Sequence, residues 1–463
     1  MKKRILFIAY YYPPLAGSGV FRPLKMIQYL REANYDVDVL TVENIDYHTT
    51  DESLLSESLA NHIYRAKSFD PLALLAYFKS IIITLKKHVK SLFFNVIEVK
   101  DCIRKVKGKN KETNDNFRMG VVSNNKKRII NSFFPIDNKI GWLIPALNKA
   151  DELFKQSKYD LVFTTIGPYT SALIGYRISN KYNIPLIIDY RDHWTLNTYQ
   201  FDYNPFNKLL GSYFEKKILN HASLVSVIGN IMNKELCEKF LDNHSDKCIT
   251  AYNGFEEKDF SSQSNDNNSK ITTIRYLGSF NANRTVRYFI KALLELKESS
   301  YPFKDIIFEF YGNNDSQTKQ LLNQPALRDL VVTKPLITHK ESIEKICTAD
   351  VLLLFISSED GKGVLTGKLF EYIRSKNMIL PMIKQNGEAK EILEKLGYHK
   401  YCAMEDVASI KHFIKEINEK TFNNTITLYN EIPYLSRENQ CKKVIDRITE
   451  LLNQTNPVRK SKR

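Results

Sequence analysis

The strongest constraint on the fold of this 463-residue chain is an alternation of short apolar runs with helical patterns, played out twice. Lys3 to Ala9, Val37 to Val42, Leu161 to Thr165, Leu186 to Asp189 and Leu224 to Ile228 are apolar on both parities. That is the pattern of strands covered on two faces, as in a parallel sheet. After the turn signal Asn253-Gly254 and the polar run Ser261 to Ser269, a second series follows at Thr273 to Leu277, Ile306 to Tyr311, Val351 to Ile356 and Met378 to Met382. One core does not organise a chain of this length. The predicted class is therefore α/β, with two Rossmann-like doubly wound domains facing each other across a cleft. The first is expected over 1–255 with an insertion at 45–130, the linker over 256–270 and the second domain over 271–435. A C-terminal helix over 436–454 is expected to pack back on the first domain, ahead of a basic tail at 455–463.

The formal charge of +15 favours polyanionic or phosphorylated partners without choosing among them. No RRM, zinc-finger or helix-turn-helix pattern is present, so nucleic acid is not the expected partner. The six cysteines are scattered singly, with no metal-ligand spacing, and read as reduced packing thiols. Met1-Lys2-Lys3-Arg4 and Ile5 to Ala9 have the basic and apolar parts of a signal peptide. Tyr10-Tyr11-Tyr12-Pro13-Pro14 ends the run early, however, and a buried first strand fits better. No apolar run reaches the ~18 residues of a spanning helix. The expected location is the cytoplasm, peripheral on the inner face of the membrane. Residues 71–95 carry Leu74, Phe78, Ile81, Leu85, Val89 and Leu92 at helical spacing, with Lys79, Lys86, Lys87 and Lys90 on other faces. This basic amphipathic stretch is either a dock for an anionic membrane surface or a packed lid helix. Lys105 to Asn125 reads as polar and flexible.

The segments that carry chemistry are specific as a set. Ile5 to Val20 is a strand, a turn containing Gly17, Ser18 and Gly19, and a helix start, and it lacks the spacing of a nicotinamide-binding GxGxxG. Together with Tyr159 to Thr165, Gly167-Pro168, Ile184 to Trp194, Ala222 to Val227 and Tyr252 to Phe255, it resembles the acceptor domain of family 4 glycosyltransferases, of the GT-B fold. Tyr276-Leu277-Gly278-Ser279-Phe280 with Arg284 resembles the first donor-domain loop of that family. Ser279 stands there at the usual arginine, and Arg284 at or beside the usual lysine. Gly363-Val364-Leu365-Thr366-Gly367-Lys368-Leu369-Phe370-Glu371 resembles the glutamate-x7-glutamate motif, with Glu371 as the second glutamate and Gly363 in place of the first.

The resemblance implies a nucleoside diphosphate sugar as donor, and a saccharide or polyprenyl-diphosphate-linked acceptor in bacterial surface-polysaccharide synthesis (capsule, O-antigen or exopolysaccharide). It further implies retention of configuration, no catalytic metal and no cofactor. The expected donor contacts are Gly17, Ser18, Gly19, Gly278, Ser279, Arg284, Val364, Leu365, Thr366, Gly367, Lys368 and Glu371. Arg284 and Lys368 would stabilise the departing diphosphate, and Glu371 would hold the ribose. Asp189, Arg191, Asp192 and His193 end a strand on the acceptor side. Asp192 either takes the acceptor proton or only caps the next helix. Ser279 and Gly363 leave open a second reading, a non-catalytic GT-B protein that binds sugar nucleotide or scaffolds an assembly.

Overall fold

A computed structural model describes residues 2–15, 17–43, 50–69, 136–197, 205–241, 245–261, 270–280, 284–357 and 361–454. The amphipathic stretch 71–95, the polar run 105–125, most of the linker (262–269) and the basic tail 455–463 lie outside the described residues. The chain divides into two compact units, residues 1–23, 36–188 and 192–222, and residues 24–35, 189–191 and 223–463.

Twelve strands among the described residues form two sheets. Those of the first are β1 (Arg4–Ile8), β2 (Asp36–Val42), β3 (His62–Ala66), β4 (Leu161–Ile166), β5 (Leu186–Tyr190), β6 (Leu224–Val227) and β7 (Cys248–Thr250), in the order β3-β2-β1-β4-β5-β6-β7. Those of the second are β8 (Thr272–Leu277), β9 (Ile306–Tyr311), β10 (Val331–Lys334), β11 (Val351–Phe355) and β12 (Met378–Met382), in the order β10-β9-β8-β11-β12. The second sheet is parallel throughout, and the described pairs of the first are parallel as well. In both sheets the order reverses beside the first strand, between β1 and β4 and between β8 and β11. Loops part there, and open α/β sheets bind ligands at that point.

The second sheet shows why its strands read as apolar on both parities. Val351, Leu353 and Phe355 of β11 enter one core with Ile274, Tyr276 and Phe308, whereas Leu352 and Leu354 enter another with Leu369, Phe370 and Ile373. Each strand is a shared wall of two cores. The expected strands are present with ends shifted by about a residue. The three strands not expected, β3, β7 and β10, are edge strands or short, and mostly half-buried or exposed.

Helices connect the strands. Those used below are α1 (Ser18–Glu32), α2 (Leu143–Gln156), α3 (Thr170–Tyr182), α4 (Pro205–His221), α5 (Asn230–Phe240), α6 (His339–Cys347), α7 (Gly367–Ser375), α8 (Glu388–Lys395) and α9 (Arg437–Gln454). Within the second unit, α9 packs on β6, the Tyr35 and Thr449 hydroxyls meet at 2.7 Å, and Gln440 Oε1 accepts from the Tyr252 amide at 3.1 Å. The segment entering the second series is held at three successive acids. Tyr29 donates to Glu256, Arg374 pairs with Glu257, and His339 Nε2 meets Asp259 Oδ2 at 2.9 Å.

Glu388 is 1% exposed and accepts from the Asn230 amide at 2.5 Å, the Ile231 amide at 3.1 Å and the Tyr252 hydroxyl at 3.2 Å. Its carboxylate therefore meets the positive end of α5. A Cβ on Gly229 would come within 2.5 Å of Glu388 Oε2, so only glycine lets the acid reach the amides.

Candidate active site

The donor-side residues converge in the second unit, at the carboxyl ends of β8, β9 and β11. Two glycines make the convergence possible. Gly278 (φ +144°) follows β8 and Gly312 (φ +155°) follows β9. A Cβ on Gly312 would fall 2.5 Å from the Gly278 carbonyl oxygen, so the two loops touch backbone to backbone. Such φ values favour glycine in any case. Asn314, almost fully buried, fixes the pair by accepting from the Phe280 amide at 3.0 Å. Ser279 Oγ accepts from the Asn313 amide at 3.0 Å.

Lys368, in the first turn of α7, reaches back into this junction. A Cβ on Gly278 would lie 2.4 Å from both its Cε and its Nζ, and its ammonium stands 5.7 Å from the Tyr276 ring centroid. The aliphatic stem fills the space where any other residue at 278 would place a side chain. Tyr276 is 1% exposed, its hydroxyl faces the Ser279 carbonyl at 3.5 Å, and the Arg284 charge acts on it from nearby. Burial pushes the Tyr276 phenol up, and Arg284 pulls it back. Two cations therefore share one aromatic wall. Burial pulls the Lys368 ammonium below its ordinary pKa, the Arg284 charge pulls it further, and Glu371 opposes both.

Around these cations the backbone is open. Among the described residues, nothing stands within 4 Å of a Cβ built on Gly367, the first residue of α7. Thr366 has the extended backbone of an N-cap, yet its hydroxyl does not cap the helix. That hydroxyl is buried, with no hydrogen-bond partner among the described residues. Leu365 is 7% exposed and anchors the loop, while Val364 is half-buried. Glu371 follows one turn after Gly367. Leu369, Phe370, Tyr372 and Ile373 are buried around it, and its own carboxylate makes no hydrogen bond or ion pair among the described residues. The Tyr372 hydroxyl instead accepts from the Leu277 amide at 3.3 Å, locking α7 to the end of β8. Position 363 faces the first turn of α5, since a Cβ there would lie 3.4 Å from Ile231 Cβ and 3.5 Å from the Met232 amide nitrogen.

In the first unit, Gly17 is exposed with φ +116° and, among the described residues, nothing within 4 Å of a Cβ, and Ser18 and Gly19 open α1. The loop before it is pinned. Thr41 donates to the Tyr10 carbonyl at 3.0 Å, Arg65 to the Pro13 carbonyl at 2.7 Å, and the Asp51 amide to the Pro14 carbonyl at 2.7 Å. Asp192 and His193 follow β5. The Tyr169 hydroxyl donates to the His193 carbonyl at 2.5 Å, the Tyr169 ring stacks on Trp194 at 5.2 Å, and burial followed by the Asp192 charge raises the Tyr169 phenol. Buried Asp137 accepts from the Thr170 amide and hydroxyl, both at 2.7 Å, and so caps α3. Glu215 of α4 is buried and accepts from the Thr195 amide at 3.1 Å. Asp189 is 2% exposed within β5, and Arg191 is half-buried.

Sequence reading placed Tyr276 in the loop motif without giving it a role, and missed Gly312, Asn314 and Asp137. Gly312-Asn313-Asn314 directly after a strand is a turn signal that could have flagged the junction. Tyr276 and Asp137 carry no local signal, because their roles depend on what packs over them.

A model of Glycosyltransferase Family 4 matches residues 109–258. The match identifies the chain as a glycosyltransferase. No curated protein sequence matches it. Among solved structures, it is similar to sucrose-phosphate synthase from Thermosynechococcus elongatus, with 12% identity, TM-score 0.64 and coverage of 98% of this chain and 100% of that one. It is also similar to Anabaena HepE in complex with UDP and glucose (12% identity, TM-score 0.58, coverage 97% and 100%). A third likeness is to the lipopolysaccharide outer core galactosyltransferase WaaB (12% identity, TM-score 0.56, coverage 97% and 99%). At such identities the likeness is one of fold, and it gives this glycosyltransferase two Rossmann-like sheets in the GT-B arrangement. No helix among the described residues is long and apolar enough to cross a membrane.

Proposed function

We propose that this glycosyltransferase moves a sugar from a nucleoside diphosphate sugar to a saccharide or polyprenyl-diphosphate-linked acceptor, in the synthesis of a bacterial cell-surface polysaccharide. The observation that carries the donor class is the crowding of Lys368 and Arg284 over one tyrosine wall beside open backbone at Gly367. Two like charges held close in a partly dry site repel, and an anion placed between them removes the repulsion. A diphosphate leaving group brings that anion in its most charged form as the glycosidic bond breaks, so the cations stabilise the transition state more than the bound donor. Glu371, with no hydrogen bond or ion pair among the described residues, is suited to accept from ribose hydroxyls. Gly17, Ser18 and Gly19 would offer amides to the donor, and Gly278 and Ser279 would line it. Asp192 would take the acceptor proton, with Asp189, Arg191 and His193 shaping that side. We propose retention of configuration and independence of metal and cofactor. The enzyme would work on the cytoplasmic face of the membrane, with residues 71–95 docking to anionic lipid.

UDP is the first nucleotide to test, because one structural neighbour binds it. The expected result is thermal stabilisation by UDP or another nucleoside diphosphate, lost in Arg284→Ala, with turnover of that variant lowered tenfold or more. Unchanged kinetics in Arg284→Ala would remove it from the site. Ser279 and Gly363 favour a second reading, a non-catalytic sugar-nucleotide-binding or scaffold protein. Nucleotide binding with neither donor hydrolysis nor transfer to lipid-linked saccharide would support that reading instead.

A further inference from the structure

Helix α4 has two unlike faces. Inward, Asn207, Gly211, Glu215 and Ile218 are buried, and Glu215 holds the Thr195 amide just after Asp192 and His193. Outward, Leu209 is 71% exposed and Tyr213 is 60% exposed, one turn apart on the same stripe. The stripe continues into exposed Lys216 and Lys217, and exposed Lys208 flanks it. The one carboxylate of the helix, Glu215, is buried, so the charged side chains the helix itself exposes on its outer face are lysines, Lys217 standing 5.9 Å from the Tyr176 ring centroid. Exposed leucine alone is unremarkable. Leucine and tyrosine followed along one stripe by lysines form an arrangement with a defined complement: an apolar interior bounded by negative charge. Tyrosine favours the level of lipid headgroups, leucine the acyl boundary below, and lysine the anionic phosphates.

We propose that the outer face of α4 docks on an anionic lipid bilayer, Leu209 and Tyr213 entering its surface and Lys208, Lys216 and Lys217 contacting lipid phosphates. The same unit exposes Phe69 (64%) and Ile144 (62%), the latter in the first turn of α2. The inward face of α4 clamps the loop after Asp192, so docking sets that loop about one helix diameter, roughly 10 Å, from the bilayer. An acceptor anchored in that bilayer would present its saccharide at this distance. The inference deepens the proposed lipid-linked acceptor and rests on that reading only for its biological use.

The experiment is co-sedimentation of the full chain with vesicles of phosphatidylglycerol and phosphatidylcholine, against phosphatidylcholine alone, at low and high salt. Binding is expected on the anionic vesicles and reduced by salt. Leu209→Ser/Tyr213→Ser should lower the partition coefficient tenfold or more while leaving the melting temperature and its nucleotide-induced shift unchanged. Tyr213→Trp should show a blue-shifted emission only with anionic vesicles, over a constant background from buried Trp142 and Trp194. Wild-type binding by the serine variant overturns the proposal. So does loss of all binding in a variant carrying glutamate at Lys79, Lys86, Lys87 and Lys90 with α4 intact, which would assign docking to 71–95 alone. A change in the self-association of the lipid-free protein on altering Leu209 and Tyr213 would assign the face to a second copy and overturn it too. A missing nucleotide shift in the wild type would instead count against the donor reading and leave the docking result to stand by itself.

Discussion

At Lys368 the proposed function and stability oppose each other. Burial and the Arg284 charge hold its pKa below the ordinary lysine value, so its charged form is less favourable in the folded state than in the unfolded chain. For a lysine with a depressed folded pKa, folding stability rises with pH from the folded value up to the unfolded one. The cost is therefore fully present below the depressed folded value and gone above the unfolded one. Lys368→Met keeps the stem and removes the charge. It should leave the melting temperature unchanged or higher while abolishing the thermal shift produced by nucleoside diphosphate. A large drop in melting temperature would mean that the ammonium supports the fold. Anion binding has the opposite linkage, because it favours the protonated amine. Nucleotide affinity, measured by calorimetry as a function of pH, should fall as pH rises through the depressed Lys368 pKa. Gly278 belongs to the same argument. Alanine there meets the Lys368 ammonium at 2.4 Å and takes up a strained backbone costing ~1–3 kcal/mol. Nucleotide affinity of Gly278→Ala should fall tenfold or more. In a Lys368→Ala background the added loss of stability should shrink, as a double-mutant cycle would register.

The elements that position the site are held by caps and ion pairs that propensity alone does not reveal. Thr338 and Glu341 form a reciprocal capping box at the start of α6, and Thr338→Ala should cost about 1 kcal/mol in chemical denaturation. His339, the next residue, is raised above its ordinary pKa first by the hydrogen bond to Asp259, with burial opposing and Glu371 adding. Its contribution to stability is fully present below pH 6.5 and lost as pH rises through the raised value. Asp259→Asn should flatten this dependence of the melting temperature and leave the rest of the pH profile in place. Such contacts were partly legible in the sequence. Thr338-x-x-Glu341 is a capping signal, and Leu369, Phe370 and Ile373 marked the buried face of α7 around Glu371. Asp137 was not legible, because it caps α3 from 33 residues away. Neither was Glu388, whose partners lie 136 to 158 residues earlier.

Over the whole molecule, the strands buried along most of their length were legible, the edge strand β12 among them, and the half-exposed edge strands β3, β7 and β10 were not, for a single reason. A strand walled by two cores, such as β11, must be apolar on both parities, whereas β10, with burial on one residue of four, leaves no such trace. The proposed donor residues Gly278, Arg284, Lys368 and Glu371 were named from the sequence because their residue types suit that chemistry, whereas Gly312, which the fold needs for shape, was not. The ties made by α9 bear on how the protein can be made. The Tyr35 hydroxyl meets that of Thr449, 414 residues later. At ~5–20 residues per second, a ribosome needs about 20–80 s between the two. Through that interval Tyr35 waits for Thr449, and for the shorter time between their own synthesis and that of α9 the Tyr252 amide lacks Gln440 and β6 lacks its helix. A chain stopped after Ser436 should therefore accumulate as insoluble protein. A nascent chain stalled just before α9 should be far more sensitive to protease around residues 24–35 and 223–252 than one that contains it, so that α9 sets the moment at which these segments become safe from degradation.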